Sequence, residues 1–215
     1  PGEAYPLLLQ QRIVGPGTGI FLLVWDGETR AVFAHRRLRE KPPSGGVSVL
    51  SESVAAEPDL VAQSRRLLDA FGWRGVAMVE YKRDAATGVP YLMEINGRFW
   101  GSLQLAVDAG VDFPSLLVDC AQGAPPAAPP AFRVGRRLRW CWGDVDHLLT
   151  RLRHDDATLS LPPGSPGRGR AVLDFLAAWR PGQRVETFRL DDPRPFVRES
   201  LNWLRGGPAS PPRRT

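Results

Sequence analysis

The sequence predicts an α+β protein: an antiparallel sheet flanked by helices, followed by a small mixed region. Three observations carry this. Short apolar runs separated by glycine- and aspartate-containing turns fill much of the first hundred residues, as hairpin-connected strands do. Helical spacing of apolar residues recurs at 57–71, 103–109 and 114–122. A dense run, Gly123-Ala124-Pro125-Pro126-Ala127-Ala128-Pro129-Pro130, then breaks the composition before further helical segments.

Taken in order, 6–11 is apolar and extended, 19–25 alternates loosely, and 30–37 follows an Asp26-Gly27 turn, so each reads as a strand. Lys41-Pro42-Pro43-Ser44-Gly45-Gly46 is a loop. Glu57-Pro58-Asp59 opens a helix to about Phe71, with Leu60, Ser64, Leu67 and Leu68 at helical spacing. Two strands around Asp84-Ala85-Ala86-Thr87-Gly88 form a hairpin over 76–95. Two short helices follow, broken at Gly110, the second starting near Asp112 or Phe113. Beyond the proline-rich break, 134–142 is a basic strand-like run on which Trp140 and Trp142 alternate, read as core. Helices are expected over 144–153, 170–179 and 195–204. The resulting division is 1–123, a linker at 124–131, a region at 132–205 with no motif tied to chemistry, and a Gly/Pro/Arg-rich tail at 206–215 expected to be disordered.

Composition bounds the function. With 43% apolar and 24% charged residues, the 215-residue chain has the profile of an ordinary soluble globular protein. No apolar run is long enough to span a membrane. Cys120 and Cys141 stand without a CxxC or Cys/His cluster, which argues against a zinc site or disulfide framework. A reducing, cytoplasmic setting is the expectation. The chain opens at Pro1-Gly2-Glu3, without Met, as if cut from something longer. Its net charge of +5 comes almost wholly from arginine, since Lys41 and Lys82 are the only lysines. The arginines are spread along the chain with no nucleic-acid-binding motif, so neither nucleic acid nor membrane is an expected partner.

The chemistry concentrates at Glu80-Tyr81 and Leu92-Met93-Glu94-Ile95-Asn96-Gly97-Arg98-Phe99-Trp100-Gly101-Ser102. Glu94 and Asn96 are two apart on a strand and leave the same face. With the turn centred near Thr87, Glu80 falls roughly opposite Glu94, and two facing carboxylates repel unless a cation lies between them. Hard divalent cations take such oxygens, often with substrate phosphates. A surface hairpin can also carry two solvated glutamates; the bulky Leu92, Met93, Ile95, Phe99 and Trp100 argue for burial instead. Ser102 is read as a helix cap. His147 and His154 lack metal partners at suitable spacing, and Gly15-Pro16-Gly17-Thr18-Gly19 lacks the GK[ST] of a phosphate loop.

On Glu80, Glu94, Asn96 and Arg98, the chain resembles the C-terminal part of an ATP-grasp domain over roughly 6–123. The run from Glu94 to Ser102 followed by Ala109-Gly110-Val111-Asp112-Phe113-Pro114 is similar to a bacterial carboxylate–amine ligase or ATP-dependent carboligase branch. Leu7-Leu8-Leu9-Gln10-Gln11-Arg12-Ile13-Val14-Gly15 looks like the hinge strand of that fold. The resemblance implies ATP with two Mg²⁺ ions, Mn²⁺ being an alternative. It implies Glu80, Glu94 and Asn96 as metal ligands, Arg98 on phosphate or acyl-phosphate oxygens, and Gln10, Gln11, Arg12 and Ile13 at the adenine. The implied reaction activates a small carboxylate as an acyl phosphate for attack by an amine or similar nucleophile.

From His35-Arg36-Arg37-Leu38-Arg39-Glu40, Arg36 or Arg37 reaches the phosphates or the acid; alternation puts Arg37 on one face with His35 and Arg39, so only one of the pair points inward, and Arg37 is preferred. The Gly45-Gly46 amides would approach an anion; an ordinary basic edge strand and turn is the other reading. The upstream lysines and glycine-rich loop of the fold have no counterpart here, so the piece is expected to be inactive alone. The region after 132 packs on the core or joins a second copy in a homodimer. A catalytically silent nucleotide- or metabolite-binding module is the alternative function.

Overall fold

The computed structural model describes residues 9–161, 164–180 and 182–206. Its strands are β1 Gly17–Trp25, β2 Glu28–Lys41, β3 Val47–Ser53, β4 Gly75–Arg83, β5 Pro90–Asn96, β6 Arg137–Arg139 and β7 Arg184–Val185. They form one sheet in the order β5-β4-β1-β2-β3-β6-β7. Every pairing is antiparallel except β6 with β7. The helices are α1 Pro58–Ala70, α2 Leu103–Ala109, α3 Phe113–Ala121, α4 Cys141–Arg153, α5 Arg168–Ala177 and α6 Arg194–Leu204. The α+β class and the antiparallel sheet flanked by helices are therefore as the sequence predicts.

β1 is central and buried on both faces, which is why its alternation is loose. Phe21 and Leu23 pack with Phe33, Met78, Trp100, Leu105 and Phe113 beneath α2 and α3. Ile20, Leu22 and Val24 pack with Leu60, Leu68, Val79 and Tyr81 beneath α1. α1 closes its side with Ser64 Oγ and Tyr81 Oη 2.9 Å apart in the interior. α2 ends at Gly110, whose φ of 117° suits a residue without Cβ, and Asp112 caps α3 by accepting from Ser115 N.

The segment beyond the proline-rich run joins the same sheet. β6 pairs with β3, and α4 docks through Asp144, whose carboxylate is fully buried. Asp144 accepts from Arg39 Nε at 2.6 Å and Nη2 at 2.5 Å, and from Arg139 Nε at 2.6 Å. The Arg139 guanidinium lies over the rings of Phe175 and Trp179, at 4.2 and 4.3 Å from their centroids. Its burial is thus offset by a carboxylate and two π faces.

Several expectations are corrected. Residues 9–16 contain no strand; the chain there runs beside the end of β4, with Val14 O and Pro16 O accepting from Ala85 N and Arg83 N. The strand expected at 6–11 and the tail expected at 206–215 fall partly outside the described residues. The basic run at 134–142 yields only β6, because Trp140 is the N-cap of α4 and Trp142 lies within that helix. β5 is an edge strand, so Leu92 and Met93 are 46% and 51% exposed and Phe99 is also exposed; of the bulky flanks only Trp100 is buried. Ser102 stands at the N-cap of α2 but makes no capping hydrogen bond. A bulge between Arg37 and Arg39 breaks the alternation in β2, and Arg39 turns to Asp144 instead.

Candidate functional site

The ladders set one row across the sheet. Glu94 lies opposite Glu80, Glu80 opposite Gly19, and Gly19 opposite His35. Gly19 is required in that row: a Cβ would sit 2.6 Å from the Phe21 ring and 3.0 Å from His35. A bulge follows on β5, where Tyr81 pairs with Leu92 and Met93 is left over. Such bulges re-aim side chains beside a site.

Asn96 is the next residue on this edge, opposite Met78. Its Nδ2 donates to Glu94 Oε1 at 2.7 Å, and its Oδ1 accepts from Arg98 Nη2 at 3.0 Å. Arg98 is fixed further by donating from Nη1 to Phe99 O at 2.8 Å. The turn that carries it passes Trp73 so closely that a Cβ on Gly97 would strike the indole.

From β2, Arg37 forms an ion pair with Glu80 and donates to Glu40 Oε1 at 3.2 Å and to Gly46 O at 2.9 Å. Arg36 points the other way, to Glu52. Gly46 needs its missing side chain, since a Cβ would lie 2.3 Å from Lys41 O. The loop thus presents a carbonyl to Arg37, and the Gly45 N–H closes the turn on Pro42 O.

Electrostatics follow from this placement. Glu80 is 7% exposed, and burial pushes its carboxyl up to about 7; Arg37 opposes the shift and the facing Glu94 adds to it. His35, fully enclosed and close to Arg37, is pushed down to about 3 and stays neutral.

Glu80, Glu94, Asn96, Arg37, Arg98 and His35 all line one cavity of about 870 Å³. Gln10, Gln11 and Arg12 are exposed and Ile13 is buried, and none of the four lines it. Arg12 instead donates to Ser160 O at 2.8 Å. Gly15, Pro16 and Gly17 line a second cleft of about 490 Å³, which shares Arg37 with the first. His147 is a packing residue, with Nδ1 2.6 Å from Glu40 O.

Sequence reasoning missed the opposite wall of the 870 Å³ cavity: Trp140, Glu186, Glu199, Asn202 and Trp203. They come from the start of α4, the residue after β7 and the α6 helix, and no local spacing connects them.

The donor set fits Mg²⁺. Two carboxylates and an amide oxygen are hard ligands, and a facing acid pair is relieved by a dication. Among the described residues no group of three or more His, Cys, Asp or Glu side chains could hold a metal. Mg²⁺ binds in such sparse sites together with water and substrate phosphate.

A family model described as ATP-grasp in the biosynthetic pathway with Ter operon matches residues 3–143. No curated protein matches the chain. Among solved structures, a pyruvate carboxylase from Rhizobium etli with acetyl coenzyme-A superposes with a TM-score of 0.50 at 19% identity, over 62% of this chain and 14% of that one. A biotin carboxylase–beta-gamma-ATP complex from Campylobacter jejuni gives 0.47 at 14% identity, over 60% and 30%. An L-amino acid ligase from Bacillus licheniformis gives 0.42 at 24% identity, over 50% and 29%. The first likeness shows the fold. The chain spans less than a third of the length of each of these structures.

Proposed function

We propose, because the chain belongs to the family described as ATP-grasp in the biosynthetic pathway with Ter operon, that its Glu80–Glu94 wall binds Mg²⁺–ATP in an ATP-dependent carboxylate–amine or carboxylate–thiol ligase. The observation that carries this is the opposition of Glu80 and Glu94, with Asn96 and Arg98 hydrogen-bonded in series beside them. Glu80 and Glu94 would hold one ion and Asn96 would serve the second. Bound Mg²⁺ would neutralise phosphate charge and polarise the phosphoryl oxygens.

The chain's own residues do the rest. Arg98, braced by Asn96 and the Phe99 carbonyl, offers a fixed guanidinium to phosphate or acyl-phosphate oxygens. Arg37 stands between Glu80 and the 41–46 loop, where its fork can take a carboxylate. A carboxylate oxygen attacks the γ-phosphorus and ADP leaves, giving an acyl phosphate. The free amine or thiol then attacks the acyl carbon, the C–O bond to phosphate breaks, and inorganic phosphate leaves carrying the proton that the nucleophile loses. Positioning and charge stabilisation supply the rate.

The test is phosphate release by a protein containing this chain, measured with acid and amine together and singly. Release should require both, and Glu94→Gln should lower it at least a hundredfold with an unchanged circular dichroism spectrum. Activity retained in that variant removes Glu94 from the site. The resemblance assigns the lysines and glycine-rich loop that cover the triphosphate to a segment preceding the hinge, so the 215 residues alone should not turn over ATP.

A further inference from the structure

We infer that the C-terminal wall of the 870 Å³ cavity is a binding site for a primary ammonium group, held by Glu186 and Glu199 against the indoles of Trp140 and Trp203. Calling the free amine formed when this ammonium gives up a proton the ligase's nucleophile rests on the function proposed above; the ammonium site itself does not.

The wall is rigid and built for charge. Glu199 on α6 is held at both oxygens: Oε1 accepts from Trp140 Nε1 at 2.5 Å and Oε2 from Thr187 Oγ1 at 2.7 Å. Trp203 donates from Nε1 to Asp146 Oδ1 at 2.8 Å and stacks on Trp142 with centroids 4.2 Å apart. Glu186 follows β7 and is anchored by its N–H on Arg139 O at 2.9 Å. These elements face the same cavity as Glu80, Glu94 and Asn96, so a ligand on one wall is presented to the other.

Neither Glu186 nor Glu199 forms a salt bridge among the described residues, and the charge acting most on Glu186 is that of Glu199. Arg189, the cation acting on Glu186, is 3.0 Å from Asp108 Oδ2, and Arg198 is exposed on α6. Burial, then the charge of Glu199, pushes the Glu186 carboxyl up to about 7, with Arg189 opposing. An ammonium between the two acids relieves both effects; the indoles bound the pocket, the Trp140 ring with Lys41 Nζ 5.5 Å from its centroid and the Trp203 ring stacked on Trp142.

A second, independent feature lies in the lining of the same cavity. His35 is 2% exposed, and its Nδ1 has no hydrogen-bond partner among the described residues; Trp100 Nε1 is likewise unpartnered. With the imidazole proton on Nε2, Nδ1 accepts from an N–H donor. The cavity therefore joins two acids without a salt bridge among the described residues, indoles and a buried imidazole nitrogen, with Arg198 also in its lining.

The test titrates the tryptophan fluorescence of this chain at pH 8 with ethylammonium, phenethylammonium and putrescine, each against its alcohol isostere. At least one amine should give a saturable change at a concentration tenfold or more below its alcohol. Glu186→Gln and Glu199→Gln should each weaken that binding at least tenfold with unchanged melting temperature. Equal responses to amines and alcohols, no saturable response to any amine, or undiminished binding in both folded variants would overturn the site. Mg²⁺–ATP binding by the protein containing this chain is measured separately. Its loss in Glu94→Gln but not in Glu186→Gln would separate the two sites. Amine binding by a protein that takes no Mg²⁺–ATP would leave this site standing and defeat the ligase reading.

Discussion

His35 shows how one position can couple the site to stability. It stands in the row that begins at Glu94, between Gly19 and Ser53, and lies in contact with the Phe21 ring, at 4.7 Å between centroids. Burial and then the Arg37 charge hold it neutral down to about pH 3, whereas an unfolded histidine takes a proton near 6.5. The sign follows directly. Above pH 6.5 both states are neutral and nothing is lost; below it the unfolded state binds the proton first, so stability falls as pH drops towards 3. At about 1.4 kcal/mol per unit the full effect is roughly 4–5 kcal/mol. Urea unfolding between pH 7 and pH 4 should show the wild type losing stability faster than His35→Gln. The variant is the proper reference because Glu80 and Glu186 also titrate in this range. Parallel curves would mean that His35 is not held neutral. At the same scale, strand alternation says that only one of Arg36 and Arg37 points inward but not which; the structure turns Arg37 to Glu80 and Arg36 to Glu52. The turn of Arg39 is not legible, because a bulge is invisible in a pattern of period two.

Among the elements, legibility followed locality. The β4–β5 hairpin could be recognised from sequence because its turn is rich in turn residues, but counting from Arg83 opposite Pro90 sets Glu80 against Met93, and it is the bulge at Met93 that brings Glu94 opposite. β3 is weakly marked in sequence because three of its seven residues are serines: Ser48 and Ser51 bond each other at 2.7 Å, and only Ser53 has a distant partner, Arg133 O at 2.7 Å. Trp140 and Trp142 were misread as strand residues because α4 starts one residue after Trp140, at Cys141, without a side-chain cap. What anchors that helix to the sheet is Asp144, and nothing local announces it. Asp144→Ala would leave Arg39 and Arg139 facing each other with no anion, and Arg139 is completely enclosed. Removing one partner of a buried pair costs about 3–5 kcal/mol. Chemical denaturation should register a loss of that size, and Asp144→Asn should recover only a fraction, since it restores hydrogen bonds without charge. A loss below about 1 kcal/mol would show that the two arginines relax into water.

Across the whole molecule, the question is whether the part after the proline-rich run is an appendage or a structural half. Its strand β6 pairs with β3 and buries Leu138 in the core beneath α2 and α3. Arg137 shares Glu52 with Arg36, and Asp144 neutralises Arg39 from outside the first 131 residues. A chain ending at residue 131 would therefore expose the β3 edge, open a cavity at Leu138 and leave Arg39 without its anion. An unpaired strand edge is also a template for association. The ion pair alone accounts for about 3–5 kcal/mol and a large buried leucine for about 2–5 kcal/mol. Set against a typical domain stability of about 5–15 kcal/mol, these losses should abolish cooperative folding. The expected outcome is that 1–131 gives no sigmoidal thermal transition and elutes as aggregate, while 1–206 melts in one step. If 1–131 instead melts within a few degrees of the longer chain as a monomer, the sheet is complete without β6. The Glu186–Glu199 wall would then be a separately folding addition, and the cavity between the walls would depend on docking rather than on a shared core.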